Sequence, residues 1–242
     1  MNIRRNWTRE ELALILNLYC KLPFGRINRT NADVIKLAAH LQRSPSSVAM
    51  KLANFASLDP TLSQKGLPGY SRLDKEVWHD FFEDEAAIEK TEEISRQIYP
   101  AENLIASENY AADDAIATVK VRRLQGFFRK SVLANYDGKC CITGIAIPEL
   151  LVASHIIPWK DSPKNRLNPS NGLCMNALHD KAFDRGLMTL DDNFRITLSA
   201  SIPRIPQHAF LLDYDGCEIT LPEKFCPSLD CLAYHRAHVF LG

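Results

Sequence analysis

Two histidines and one asparagine are side chains of types that can take part in proton transfer and metal binding. His155 follows an apolar run, Asn171 comes 16 residues later, and His179 comes 8 residues after Asn171. Such side chains can contribute a base for water or a ligand for a positive ion to a hydrolytic reaction. A neutral imidazole titrates near pH ~6.5, so it can serve as that base at neutral pH. These three residues are therefore the first candidates for a catalytic site.

The sequence around these residues resembles the signature of the HNH nucleases, whose site is the ββα-metal fold. The resemblance is carried by Ser154–Pro158 (SHIIP), Asn168–Leu173 (NPSNGL) and Leu178–Gly186 (LHDKAFDRG). It begins with the stretch from Arg123 to Gly144, which is similar to the corresponding stretch of bacterial restriction-type HNH endonucleases. The resemblance implies two short strands, over 147–157 and 171–174, and a helix that starts across 178–183.

The resemblance also implies a role for each residue. His155 matches the general base. Asn171 matches the residue that orients or polarises this histidine and pins its loop, and His179 matches a catalytic metal ligand. The implied cofactor is one Mg²⁺ or Mn²⁺ ion, because both are hard cations that prefer oxygen and retain water.

Ser154 departs from the family pattern. Many HNH proteins have Asp or His at this position as a second metal ligand, and a serine hydroxyl is a poor substitute. Asp180 or Asp184 could supply a carboxylate, and we include Asp184 in the expected ligand set. Alternatively, the ion could rely on His179, water and the substrate phosphate.

The cysteines argue against structural zinc and against a disulfide framework. Many HNH modules hold zinc with two Cys-x-x-Cys pairs, and this chain has no such pair. Its seven cysteines are odd in number and scattered, which indicates a reducing compartment. We interpret Cys140, Cys141 and Cys174 as small buried residues.

Hydropathy and charge restrict location and partners. No apolar run approaches the roughly 18 residues of a membrane span, and the N-terminus lacks the apolar stretch of a signal peptide. We therefore expect a cytoplasmic protein without a membrane partner. The formal net charge of zero is a cancellation between segments. Residues 1–60 have nine basic and four acidic side chains, and residues 115–190 have eleven basic and five acidic ones. Between them, residues 80–114 have two basic and eleven acidic side chains. The two basic segments predict double-stranded DNA as a partner.

The first segment predicts a helical bundle that resembles a helix-turn-helix or SANT module. Thr8 and Glu11 form a capping box, and helical periodicity covers 12–22, 31–41 and 48–55. The third helix, with Lys51 expected to be exposed, would enter a DNA groove. The alternative is a bundle that contacts only protein, as in a homodimer. The residues expected to contact DNA along the whole chain are Arg43, Ser46, Ser47, Lys51, Arg122, Arg123, Arg129, Lys130 and Lys160.

Together these features predict an α+β protein with three segments. Residues 1–84 would form the helical DNA-binding module, 85–114 an acidic and partly helical connector, and 115–242 the HNH nuclease domain. The expected function is a metal-dependent DNA endonuclease of the restriction or defence type. The alternative is a non-catalytic DNA-binding or interaction protein that retains the HNH scaffold.

Overall fold

The computed structural model describes residues 5–62, 66, 68–100 and 115–242, with only the backbone for 115–118. The chain divides into two compact units, Met1–Phe127 and Phe128–Gly242. This division differs from the predicted boundaries at 84 and 114. Within the described residues, no helix is long and apolar enough to cross a membrane.

The first unit is helical, as the sequence predicts. Its helices are α1 (Arg9–Lys21), α2 (Ala32–His40), α3 (Pro45–Ala56), α4 (Arg72–Asp80), α5 (Glu85–Ile98) and the first part of α6 (Ala115–Asn135). Thr8 and Glu11 form the predicted capping box at the start of α1. Ser44 caps α3, where Pro45 occupies the first turn.

Helix α5 belongs to the first unit, although its sequence predicts part of an acidic connector. Glu92 is buried and forms an ion pair with Lys21 of α1. The Asn17 amide also donates to Glu92 over 2.8 Å. These buried contacts fix α5 against α1, because a charged side chain away from water needs its partners. Residues 101–114 of the predicted connector lie outside the described residues.

The second unit contains the predicted ββα arrangement, so the chain is α+β. Strand β1 (Leu151–His155) pairs antiparallel with β2 (Gly172–Asn176), and α7 (Ala177–Asp184) follows directly. β1 is shorter than predicted because a 3₁₀ turn at Pro148–Leu150 precedes it. The remaining elements are a second antiparallel pair, β3 (Met188–Leu190) and β4 (Ile196–Leu198), then α8 (Ala209–Leu212) and α9 (Leu229–His238).

Gly172 allows α6 to pack closely behind the end of β1. A Cβ at this position would lie 2.4 Å from Val132 Cγ2 and 2.8 Å from Phe128 Cζ, both on α6. Gly172 is also the cross-strand partner of His155. The absence of a side chain therefore lets Phe128 approach the strand pair at the position where His155 lies.

Candidate active site

His155, the last residue of β1, lies among aromatic side chains. Its ring stacks on Phe128 with a centroid distance of 3.7 Å and an angle of 11°. The Trp159 ring contacts it edge-on, at 5.5 Å and 87°. Burial lowers the pKa of His155 to about 4, although its hydrogen bond to the Arg166 backbone raises the pKa in part. The imidazole is therefore neutral at neutral pH.

One hydrogen bond determines which nitrogen of His155 carries the proton. Nε2 lies 3.0 Å from the carbonyl oxygen of Arg166. A carbonyl oxygen can only accept, so Nε2 must be the donor and Nδ1 must hold the lone pair. Among the described residues, Nδ1 has no hydrogen-bond partner. Nδ1 is therefore the atom of this side chain that can take a proton from water.

Asn171 holds the chain that leaves β1. Its side chain is buried, with 1% of the residue exposed, and it contacts Ile157 twice. Oδ1 accepts from the Ile157 N–H over 2.8 Å, and Nδ2 donates to the Ile157 carbonyl over 3.2 Å. The Asn171 carbonyl also accepts from Ile156 N–H over 2.9 Å. These bonds provide the expected pinning of the loop, and they act on His155 through the main chain.

His179 is only 2% exposed, and both of its ring nitrogens are engaged. Asn176 Oδ1 accepts from the backbone N–H groups of Leu178 and His179, each over 3.1 Å, so its Nδ2 faces the imidazole. This Nδ2 donates to His179 Nδ1 over 2.7 Å, and Nε2 donates to the Phe210 carbonyl over 2.8 Å. Neither nitrogen has a lone pair available to a metal ion. The structure thus conflicts with the expectation that His179 is a ligand.

The Cys140 thiol extends the polar network at the start of α7. It is buried and accepts from the Asn176 backbone N–H over 3.3 Å. Burial alone would raise its pKa, but hydrogen bonds involving His179 and Thr143 outweigh burial and lower the pKa to about 6. Together with His179, this thiol fixes the first turn of α7 in place.

Two carboxylates on α7 and one hydroxyl on β1 lie close to one another. Asp180 and Asp184 are four residues apart, so they share one face of the helix. Burial raises the pKa of both, and the Asp184 charge further raises that of Asp180. The Ser154 hydroxyl lowers the pKa of Asp180 and so opposes these two effects. Ser154 Oγ is buried, and within the described part of the chain it has no partner at ordinary hydrogen-bond distance.

This group has the properties of a site for a hard cation. A carboxylate whose pKa is raised by burial and by a neighbouring carboxylate, as that of Asp180 is, is stabilised by a positive charge beside it. Mg²⁺ commonly uses one or two carboxylates and keeps several waters. No cluster of three or more His, Cys, Asp and Glu side chains suited to a metal occurs within the described ranges. The donors present therefore fit a largely hydrated Mg²⁺ or Mn²⁺ ion.

Arg43 and Lys51 do not face solvent, contrary to the prediction that they contact DNA. The Arg43 guanidinium lies 3.9 Å from the Trp7 ring centroid and pairs with Glu11 at 2.8 Å. Lys51 is 6% exposed and pairs with Asp74 at 2.6 Å. The interpretation of Lys51 as exposed is wrong, because its cation neutralises a buried carboxylate of α4.

The other predicted contacts divide between internal and accessible side chains. Arg123 pairs with two acidic residues of α5. Arg129 donates to the carbonyls of Leu151 and Pro148, which fixes the start of β1. These two side chains are thus committed to intramolecular contacts. Three of the other predicted side chains are exposed, and two are half-buried: Ser46, Arg122 and Lys160 are exposed, and Ser47 and Lys130 are half-buried.

Three residues without a signal in the sequence surround His155: Phe128, Trp159 and Arg166. Trp159 lies four positions after His155, and Phe128 lies on α6. Because all three reach His155 through packing or a backbone carbonyl, no spacing rule in the sequence identifies them.

Comparison with known proteins places this region in a family. A family model described as HNH endonuclease matches residues 140–191, which contain β1, β2 and α7. No curated protein matches the chain. One solved structure, titled "Modification dependent TagI restriction endonuclease", is 19% identical with a TM-score of 0.31, and the match covers 46% of this chain and 37% of that one. Residues 140–191 of this chain therefore form an HNH endonuclease domain.

Proposed function

We propose that the protein is a divalent-metal-dependent endonuclease that hydrolyses phosphodiester bonds of double-stranded DNA, with His155 as the general base. The observation that carries this proposal is the single tautomer of His155. The Arg166 carbonyl holds the proton on Nε2, which leaves Nδ1 with its lone pair. His155 directly follows Ser154, whose hydroxyl interacts with Asp180 of α7.

The side chains of the site divide the reaction between them. His155 Nδ1 accepts a proton from the attacking water, and its depressed pKa keeps this nitrogen unprotonated at neutral pH. Asn171 holds the chain that leaves β1 directly after His155. Exposed cations such as Lys160 attract the DNA backbone.

Asp180 and Asp184, with Ser154 beside them, would hold the Mg²⁺ or Mn²⁺ ion. The bound ion supplies positive charge at the scissile phosphate and an acidic water for the leaving 3′ oxygen. His179 takes a different role from the one its spacing implies. It connects α7 to Phe210 and so orients the helix that carries the two carboxylates.

Restriction-type activity is part of the proposal, and it rests on the resemblance of residues 123–186 to that family. The accessible residues Ser46, Ser47, Arg122, Lys130 and Lys160 are the proposed DNA contacts. Arg43 and Lys51 are excluded from this set because their charges are neutralised inside the first unit.

Conversion of supercoiled plasmid tests the function directly. The full chain should nick or linearise plasmid with Mg²⁺ or Mn²⁺ and stop when EDTA is added. His155→Ala should lower the rate by about 10²–10⁴-fold with little change in DNA affinity, because a general base acts on the barrier. His238→Ala, which removes an exposed histidine on α9, is the matched control and should cleave normally.

Two outcomes would contradict the proposal. Wild-type cleavage by His155→Ala would show that another group is the base. Retained DNA binding without cleavage by the wild-type chain, in either metal, would favour the non-catalytic alternative.

A further inference from the structure

Trp159 contacts both the base and the residue that fixes the tautomer of the base. Its indole lies edge-on to the His155 ring at 5.5 Å. The guanidinium of Arg166 lies over the same indole, with Cζ 5.2 Å from the ring centroid. The carbonyl of that same Arg166 is the acceptor 3.0 Å from His155 Nε2. One side chain thus contacts both a histidine and the residue that supplies its hydrogen-bond acceptor.

The ends of the loop that carries Arg166 are joined by the bonds between Asn171 and Ile157. Within the loop, Arg166 N–H donates to the Ser162 carbonyl over 3.1 Å, and Asn168 N–H donates to the Asn165 carbonyl over 3.1 Å. The cation–π contact between Arg166 and Trp159 adds a direct connection between Arg166 itself and the chain that leaves β1.

We propose that Trp159 is a positioning residue for the base, which keeps the Arg166 carbonyl in place and thereby holds His155 as the Nε2–H tautomer. Without the indole, the carbonyl can move away and the proton can occupy Nδ1. A histidine protonated on Nδ1 has no lone pair on the side where water is deprotonated. The catalytic consequence rests on the proposed function, whereas the tautomer is a property of the free protein.

The tautomer is measured by NMR on the full chain with ¹⁵N-labelled histidine at neutral pH. The His155 resonances are assigned from their loss in His155→Ala. The wild type should show a single Nε2–H form, and Trp159→Ala should show a mixture of the two tautomers. Trp159→Phe should restore most of the Nε2–H form, because a phenyl ring can still accept the guanidinium on its face. Arg166→Ala, which keeps the carbonyl and removes the cation, should reproduce the effect of Trp159→Ala.

Phe210→Ala is the matched control. Phe210 is a 43% exposed aromatic residue whose backbone carbonyl also bonds a histidine, His179. Its truncation should leave the His155 tautomer unchanged. If Trp159→Ala does not fold, Arg166→Ala and Trp159→Phe still carry the test.

Kinetics separate positioning from substrate contact. Trp159→Ala should lower kcat by about tenfold or more with an unchanged KM, in parallel with the loss of the Nε2–H form. A single Nε2–H tautomer in both Trp159→Ala and Arg166→Ala would overturn the inference. A raised KM with an unchanged tautomer would also overturn it, because Trp159 would then contact the DNA. If the tautomer shifts while His155→Ala cleaves normally, the positioning role stands and the proposed function fails.

Discussion

Lys51 offers a test that separates a DNA contact from a structural ion pair. Its Nζ lies 2.8 and 2.6 Å from the two carboxylate oxygens of Asp74, and Asp74 is 0% exposed. Asp74 also accepts from Ser71 N–H over 2.6 Å and from Ser71 Oγ over 2.9 Å. Lys51→Met would preserve most of the apolar stem while leaving this carboxylate without its cation.

The cost can be estimated from these contacts. Removing one partner of a buried ion pair destabilises a protein by about 3–5 kcal/mol. The two bonds from Ser71 continue to stabilise the Asp74 carboxylate, so the lower end applies, about 3 kcal/mol. For a unit of this size, that loss lowers Tm by roughly 10 °C. Lys51→Met/Asp74→Asn should recover part of the loss, because the asparagine keeps the cap without a buried charge.

Thermal unfolding followed by circular dichroism measures the effect, and DNA affinity is measured in parallel at a temperature where both proteins are folded. Lys75→Met, on the exposed side of α4, is the control and should melt like the wild type. An unchanged Tm with weakened DNA binding in Lys51→Met would refute the reasoning and return Lys51 to the DNA-contacting surface.

Two further predictions concern the metal ion and pH. Asp184→Asn should weaken Mn²⁺ binding, measured by calorimetry, by roughly tenfold or more. His179→Gln should lower Tm and leave the Mn²⁺ affinity unchanged. The reverse pattern would restore His179 as the metal ligand. Burial lowers the pKa of His235 to about 4, so its contribution to stability is full above pH ~6.5 and is lost as the pH falls toward 4. His155 has a similarly lowered pKa and adds a loss of its own. In urea unfolding, the loss of stability between pH 7 and pH 5 should therefore be about 2 kcal/mol smaller in His235→Gln than in the wild type, and an equal loss in the two proteins would contradict this reasoning.

Several elements follow from sequence features. The resemblance to the HNH nucleases implies two strands and a helix around His155, Asn171 and His179, and the structure contains them. The starts of α1 and α3 are also predictable, because a capping side chain bonds a backbone N–H only three residues away. Such features depend on near neighbours in the chain, so the sequence alone determines them.

The tertiary structure decided which charged and polar side chains remain available for function. Arg43 and Lys51 find their acidic partners 32 and 23 positions away, and only folding brings those partners close. Tertiary packing also gives different surroundings to His179 and Asp180, which are adjacent in sequence. Both fit the end of an HNH signature, but successive residues of a helix point about 100° apart. The packing of α7 therefore turns His179 inward to Asn176 and Phe210 and leaves Asp180 beside Ser154, a choice that no spacing in the sequence could make.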